Sequence, residues 1–240
     1  MRAVILAGGL GTRLRSVVND RPKSMASIAG QPFLEYQLLW LKSHGVREVI
    51  LCVGYKHEQM VAHFGDGKRW NMTLRYSVEE RPLGTAGALK NAERLLDAEP
   101  FLVMNGDSMV EVDLRAFAAF HEERSALATL TLARVPLTQR YGSIELDDSC
   151  RILNFVEKGV HPLRGERETQ WISGGVYLLR RQVLEAIQLG KKVSLEEEVF
   201  PKLVGHGFYG FRTDGYFIDI GLPDDYERAQ AELPRRFPLC

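Results

Sequence analysis

A glycine-rich turn, two basic residues and two separate aspartates carry the chemistry that can be read from this sequence. Val4-Ile5-Leu6-Ala7 runs directly into Gly8-Gly9-Leu10-Gly11-Thr12-Arg13-Leu14, and Arg21-Pro22-Lys23 follows. Glycines permit positive φ and close backbone approach, so consecutive N–H groups can point at one anion. A helix beginning after the turn would add a partial positive charge. Arg13 and Lys23 bring full charges, and the set together suits a polyphosphate. Asp107 closes the run Asn105-Gly106-Asp107 beyond an apolar strand, where ligands of parallel sheets collect; a turn-forming Asp is the ordinary alternative. Asp219 lies between Ile218 and Ile220, and a carboxylate in an apolar strand needs a partner or a metal.

The elements that must position these residues follow from apolar spacing. After the opening strand, Pro32 starts a helical pattern through Phe33 to Leu41 that stops at Gly45. Glu48 to Val53 reads as a buried parallel strand, and a short helix from about Glu58 to Phe64 leads to a strand at Leu74 to Val78. Gly84-Thr85-Ala86-Gly87 opens a helix reaching Leu95-Leu96, and Pro100 to Met104 is a further buried strand. Strands alternating with helices at these intervals indicate βαβ units. The second half is richer in strands: Ala126 to Leu132, Ser143 to Leu146, Ile152 to Val156, Ile172 to Leu179, Phe208 to Arg212 and Tyr216 to Ile218. Helices are expected from about Arg180 to Gln188, after the capping box Ser194-x-x-Glu197, and from Pro223. The reading is one α/β domain over residues 1–240 with a mixed, mostly parallel sheet. Residues to about 125 would serve a nucleotide, and those from about 126 its partner substrate.

Composition narrows the function classes. Lys+Arg and Asp+Glu number 31 each, so no global basic field points to nucleic acid, and any anion site is local. No apolar run approaches the roughly 20 residues that span a bilayer. The N-terminus reads as an apolar strand with no charged leader or small-residue cleavage pattern, so export is not expected and a cytoplasmic protein is. Cys52, Cys150 and Cys240 are scattered and form no CxxC pair, consistent with a reducing compartment. The six histidines show no zinc-ligand spacing.

Two common phosphate-binding turns fit poorly. A dinucleotide fold needs GxGxxG, and Gly9-Leu10-Gly11-Thr12-Arg13-Leu14 lacks the third glycine, which weakens a dehydrogenase reading. Gly8 to Arg13 does not supply GxxxxGK[ST] either. The turn together with Arg21-Pro22-Lys23 instead resembles the signature of the sugar-1-phosphate nucleotidyltransferases, which join an NTP to a sugar 1-phosphate. Further family-like pieces occur in order: Pro82 to Gly87, Asn105-Gly106-Asp107, Tyr141-Gly142, Val156-Glu157-Lys158, Gly174 to Tyr177 and Asp219-Ile220-Gly221. Leu10 to Asp20 and Glu80 to Gly87 are most similar to the group acting with GTP on D-glycero-D-manno-heptose 1-phosphate.

The resemblance implies a Rossmann-like three-layer α/β/α fold (GT-A-like), Mg²⁺ as cofactor, and GTP and a sugar 1-phosphate as partners. No nucleic acid or membrane enters the reaction, and a homo-oligomer is compatible with the likeness. It further implies that Leu6, Ala7, Gly8, Gly9, Gly11, Thr12, Arg13, Glu80, Pro82, Gly84, Thr85, Ala86 and Gly106 hold the nucleotide. Arg13 would grip the β- and γ-phosphates, Lys23 would meet the α-phosphate, and Asp107 and Asp219 would hold the metal. Tyr141, Gly142, Glu157, Lys158, Gly174 and Gly175 would line the sugar-phosphate site. Ser24 and Ser27 stand where relatives often carry proline, so a less rigid loop is expected. Plainer readings exist for two pieces: a helix start without ligand at Gly84 and a bulge at Gly174-Gly175; the charge cluster Glu196-Glu197-Glu198 reads as a solvated helix face. A nucleotidyltransferase with another sugar or base, and a non-catalytic nucleotide sensor on the same fold, are the competing functions.

Overall fold

Period-two alternation in the first strand divides the protein into two core layers. Ala3, Ile5 and Ala7 enter one buried cluster and Val4 the other. The computed structural model describes residues 1–14, 17–136, 141–156 and 169–238. In chain order the strands are β1 (Ala3–Ala7), β2 (Ser27–Ile28), β3 (Gln31–Pro32), β4 (Glu48–Val53), β5 (Thr73–Val78), β6 (Phe101–Asn105) and β7 (Ser108–Val110). They continue with β8 (Ala128–Pro136), β9 (Ser143–Leu146), β10 (Ile152–Val156), β11 (Thr169–Leu179), β12 (Phe208–Thr213) and β13 (Phe217–Asp219). The helices are α1 (Phe33–Ser43), α2 (His57–Phe64), α3 (Gly84–Ala92), α4 (Leu114–Glu123), α5 (Gln182–Glu185), α6 (Phe200–Leu203) and α7 (Pro223–Arg236).

Seven strands form one sheet in the order β12-β8-β11-β6-β1-β4-β5. Only β11 runs antiparallel to its neighbours, so the mixed, mostly parallel sheet is as read from the sequence. Residues of α1, α2, α4 and α7 pack in the cluster on one face, and those of α3, α5 and α6 in the cluster on the other. Helices on both faces make the three layers.

The sheet order creates the site. From β1 the chain builds outward through β4 and β5, then returns to lay β6 on the other side of β1. That reversal is a topological switch point, where loops leaving the carboxyl ends of neighbouring strands diverge and open a crevice. The glycine turn leaves β1, and Asn105-Gly106-Asp107 leaves β6.

Two local expectations need correction. The helix expected after the glycine turn is, among the described residues, a single 3-10 turn at Thr12–Leu14. An anion held at this turn would meet backbone amides and side chains, with little contribution from a helix macrodipole. The pattern over Arg180 to Gln188 yields only the one-turn α5. Beyond it the Ile187 N–H turns back to the Leu184 carbonyl at 3.1 Å in a 3-10 step, and the Lys90 ammonium donates to the same carbonyl at 3.2 Å.

Candidate active site

Lys23 lies between the two aspartates. Its Nζ is 2.7 Å from Asp107 Oδ2 and 3.5 Å from Asp219 Oδ1, and only 11% of the lysine side chain is exposed. The aspartates, distant in sequence, are joined by a short ladder in which Asp219 on β13 opposes Ser108 on β7, next to Asp107. Ile220 N–H donates to the Asp107 carbonyl at 2.9 Å, and Gly221 N–H donates to Asp219 Oδ1 at 2.7 Å. A Cβ at Gly221 would lie 2.7 Å from Asp219 Oδ1 and 2.9 Å from Lys23 Nζ, so a larger residue there would displace the end of one of these side chains. The lysine loop is itself tight, with Met25 N–H to the Pro22 carbonyl at 2.8 Å and Ala26 N–H to the Lys23 carbonyl at 2.9 Å. Ser24 is buried in it.

A residue that motif reading missed secures this turn from behind. Gln37 on α1, fully buried, donates from Nε2 to the carbonyls of Asn105 and Ser108, each at 2.8 Å. In sequence it sits unmarked among Tyr36, Leu38 and Leu39; a glutamine on a buried helix face was the available signal.

Two adjoining cavities meet here. The larger, about 460 Å³, is walled by the glycine turn, by Glu79, Pro82, Gly84 and Thr85, and by the Asn105-Gly106-Asp107 turn. Leu6, Ala7, Gly8, Gly9, Gly11, Thr12 and Lys23 all line it. The smaller, about 170 Å³, is walled by Tyr141, Gly142, Ser173, Gly175, Tyr177, Glu196 and Asp219 among others. Arg13, Asn105 and Asp107 line both. A large ligand in one cavity and a smaller one in the other would therefore meet across the Lys23–Asp107–Asp219 group.

Some predicted residues lie elsewhere. Glu80 is exposed and off the cavity wall; its neighbour Glu79 takes that side. Glu79 accepts from Leu83 N–H at 2.8 Å, and burial, opposed by that hydrogen bond, raises its pKa. Ala86 is buried and donates its N–H to the Val193 carbonyl at 3.0 Å. Gly84 and Gly87 are small because backbone from Lys191 to Val193 lies against them: at Gly84, with φ +70°, a Cβ would sit 2.5 Å from the Val193 oxygen. The protein's own chain, as well as any ligand, thus accounts for these glycines. Gly174 packs against Thr131 and Val110 within a β11 bulge, whereas Gly175, with φ +79°, does line the smaller cavity. Glu157 and Lys158 fall outside the described residues.

Glu196 corrects the reading of its acidic run. Glu197 and Glu198 are exposed as expected, but Glu196 lines the smaller cavity. It belongs to a five-residue π-helical turn, Leu195–Val199, capped by Ser194 Oγ accepting from Glu197 N–H at 3.1 Å. Nothing in composition announces such a change of helical register.

Among the described residues no group of three or more His, Cys, Asp or Glu side chains gathers as a self-sufficient metal centre. Asp107 and Asp219 nonetheless fit a hard dication in part, since their carboxylates already converge on one cationic atom. Ligand phosphate oxygens and water would have to complete such a site.

The family model for nucleotidyl transferases matches residues 2–236. The chain belongs to the nucleotidyl transferase family. It is 44% identical over 236 residues to the D-glycero-alpha-D-manno-heptose 1-phosphate guanylyltransferase of Aneurinibacillus thermoaerophilus, covering 97% of this chain and 98% of that protein. It is 38% identical to the mannose-1-phosphate guanylyltransferase of Mycobacterium tuberculosis, covering 97% of this chain and 64% of that one. Among solved structures, HddC from Yersinia pseudotuberculosis superposes with a TM-score of 0.82 at 37% identity, over 95% of this chain and 97% of that one. The same neighbour has also been solved with GMP-PN, and that complex superposes with a TM-score of 0.80. This nucleotidyl transferase is therefore an enzyme of the fold expected from its opening motif.

Proposed function

We propose that the enzyme transfers GMP from GTP to D-glycero-α-D-manno-heptose 1-phosphate, releasing pyrophosphate and GDP-heptose. The observation that carries this is the pair of adjoining cavities sharing Arg13, Asn105 and Asp107, with Lys23 at the seam. The sugar is taken from the relative named as a heptose 1-phosphate guanylyltransferase, which is matched along nearly its whole length.

The chemistry asks for positioning and charge. A sugar-phosphate oxygen forms a bond to the α-phosphorus of GTP as the bond from that phosphorus to the bridging oxygen breaks, and pyrophosphate leaves with the electron pair. The nucleophile is already an anion, so no general base or covalent intermediate is required. Bringing two polyanions together is the difficulty, and preorganised cations relieve it. In this reading the glycine-turn N–H groups and Arg13 hold the β- and γ-phosphates. Lys23 exchanges its carboxylate partners for the α-phosphate. Asp107 and Asp219 would hold Mg²⁺, which when bound supplies positive charge between the reacting phosphates. The outer walls divide the work: Pro82, Gly84 and Thr85 take the nucleoside, while Tyr141, Gly142 and Gly175 take the sugar, with Glu157 and Lys158 by family resemblance.

No helix among the described residues is long and apolar enough to cross a membrane. We place the reaction in the cytoplasm, where its product would feed capsule or other surface polysaccharide. Pyrophosphate release from each NTP against a panel of sugar 1-phosphates, with and without Mg²⁺, tests the proposal. GTP with the heptose phosphate should give the highest kcat/KM, and mannose 1-phosphate is the competing substrate. No release from any pair would sink it in favour of a nucleotide sensor.

A further inference from the structure

Glu196 is joined to both cavities by hydrogen bonds that all run toward its carboxylate. Leu195 N–H donates to Thr85 Oγ1 at 2.7 Å, and the Thr85 hydroxyl donates to Glu196 Oε2 at 2.8 Å. Ser194 Oγ donates to the same oxygen at 3.2 Å. On the other side, Asn105 Nδ2 donates to the Tyr177 hydroxyl at 3.0 Å, and that hydroxyl donates to Glu196 Oε1 at 3.3 Å. Burial and the Glu196 charge raise the Tyr177 pKa well above its usual value, so the phenol keeps its proton and remains a donor. Thr85 lines the nucleotide cavity, Tyr177 the smaller one, and Asn105 both.

A carboxylate offers about four lone-pair sites, and hydroxyls of the protein take two on Oε2 and one on Oε1. The remaining site on Oε1 belongs to a half-buried acid on the wall of the smaller cavity. A neutral ligand donor, above all a hydroxyl, satisfies it, whereas a phosphate there would be repelled. We propose that Glu196 is a specificity-determining residue that accepts a hydrogen bond from a ring or side-chain hydroxyl of the sugar. Its anchoring to Thr85 ties that selection to the wall of the nucleotide cavity. The inference rests on the reading of the smaller cavity as the sugar-phosphate site.

The test is a scan of kcat/KM for the preferred sugar 1-phosphate and its single-deoxy analogues, in wild type, Glu196→Gln and Glu196→Ala. Hydrogen bonds to charged groups are the stronger class, so one deoxy analogue should lose about 10- to 100-fold against the parent sugar in wild type. That ratio should shrink to a few-fold in Glu196→Gln, which keeps the shape without the charge, and approach one in Glu196→Ala. The Gln variant carries the test alone if the Ala variant does not fold. A variant that slows every analogue by one common factor, leaving the ratios intact, would make Glu196 a structural strut and overturn the proposal. Normal wild-type turnover with no deoxy analogue discriminated would overturn it too, while leaving the transferase reading standing. Absence of wild-type turnover with every sugar 1-phosphate would remove that reading, and this inference with it.

Discussion

Replacing Lys23 by Met removes the cation between Asp107 and Asp219 while keeping most of the aliphatic stem. The lysine side chain is 11% exposed, Asp219 14% and Asp107 37%. Breaking a fully buried ion pair costs about 3–5 kcal/mol because a charge is left uncompensated. Breaking an exposed one costs about 0–1 kcal/mol. This half-buried trio lies between those limits, so Lys23→Met should cost about 2 kcal/mol. For a chain of 240 residues that corresponds to a fall in Tm of about 4–8 °C. Asp107 and Asp219 then lose the ammonium they share, and millimolar MgCl₂ should restore more of the lost Tm in the variant than it adds in wild type. Scanning calorimetry with and without MgCl₂ reads both effects. In the same preparation kcat should fall by about 10²-fold or more, because preorganised charge at the reacting phosphate is lost. A variant with wild-type Tm, no response to MgCl₂ and near-wild-type kcat would refute the reasoning and make Lys23 an ordinary lysine.

Other consequences are as direct. Asp107→Asn and Asp219→Asn should each lower kcat by about 10²-fold or more while changing GTP affinity far less, as separate turnover and equilibrium-binding measurements would reveal. Gln37→Leu leaves the Asn105 and Ser108 carbonyls without their buried donor. Urea denaturation should show a loss of about 2–4 kcal/mol, accompanied by a lower kcat because the Asp107 turn loosens. Gly84→Ala meets the Val193 oxygen at 2.5 Å in a left-handed conformation, so it should destabilise by about 2 kcal/mol or more and raise KM for GTP. Burial, helped by Arg180, lowers the His121 pKa from 6.5 to about 4. The unfolded chain therefore binds a proton that the folded one refuses. Stability should hold above pH 6.5 and fall by roughly 3 kcal/mol as pH drops from 6.5 to about 4, with a shallower fall in His121→Gln.

β1 and β6 were legible because each is a short apolar run bounded by glycine or proline: Gly8 follows β1, and β6 lies between Pro100 and Gly106. β9 and β10 match their expected bounds, and β6 differs by one residue at each end. The meeting of Lys23 with the two aspartates was legible only through motif resemblance, since nothing in local spacing brings residues 107 and 219 together. Contacts made at a distance stayed hidden. Gln37 looks like any helical glutamine until the Asn105 turn is laid beside it. Val193 is an unmarked loop residue until its carbonyl takes the Ala86 and Gly87 N–H groups, at 3.0 and 3.1 Å. Glu196 was obscured by two acidic neighbours that do face solvent. The shortened α5 shows the same limit: the apolar spacing runs on to Gln188, but the backbone closes at Ile187, whose N–H donates to the Leu184 carbonyl at 3.1 Å.

The placement of β11 also bears on how the chain is made. β6 is hydrogen-bonded to β1 on one side and to β11 on the other, and Phe101 to Met104 are completely buried. During synthesis β1 is ready early, but the strand that covers the outer edge of β6 arrives only when Thr169–Leu179 emerges. Until then an apolar edge with unpaired backbone groups is open to other chains. A fragment stopped near residue 125 would keep that edge permanently and should aggregate, even though it contains the whole glycine turn. The later part of the sequence thus shields the earlier part from self-association.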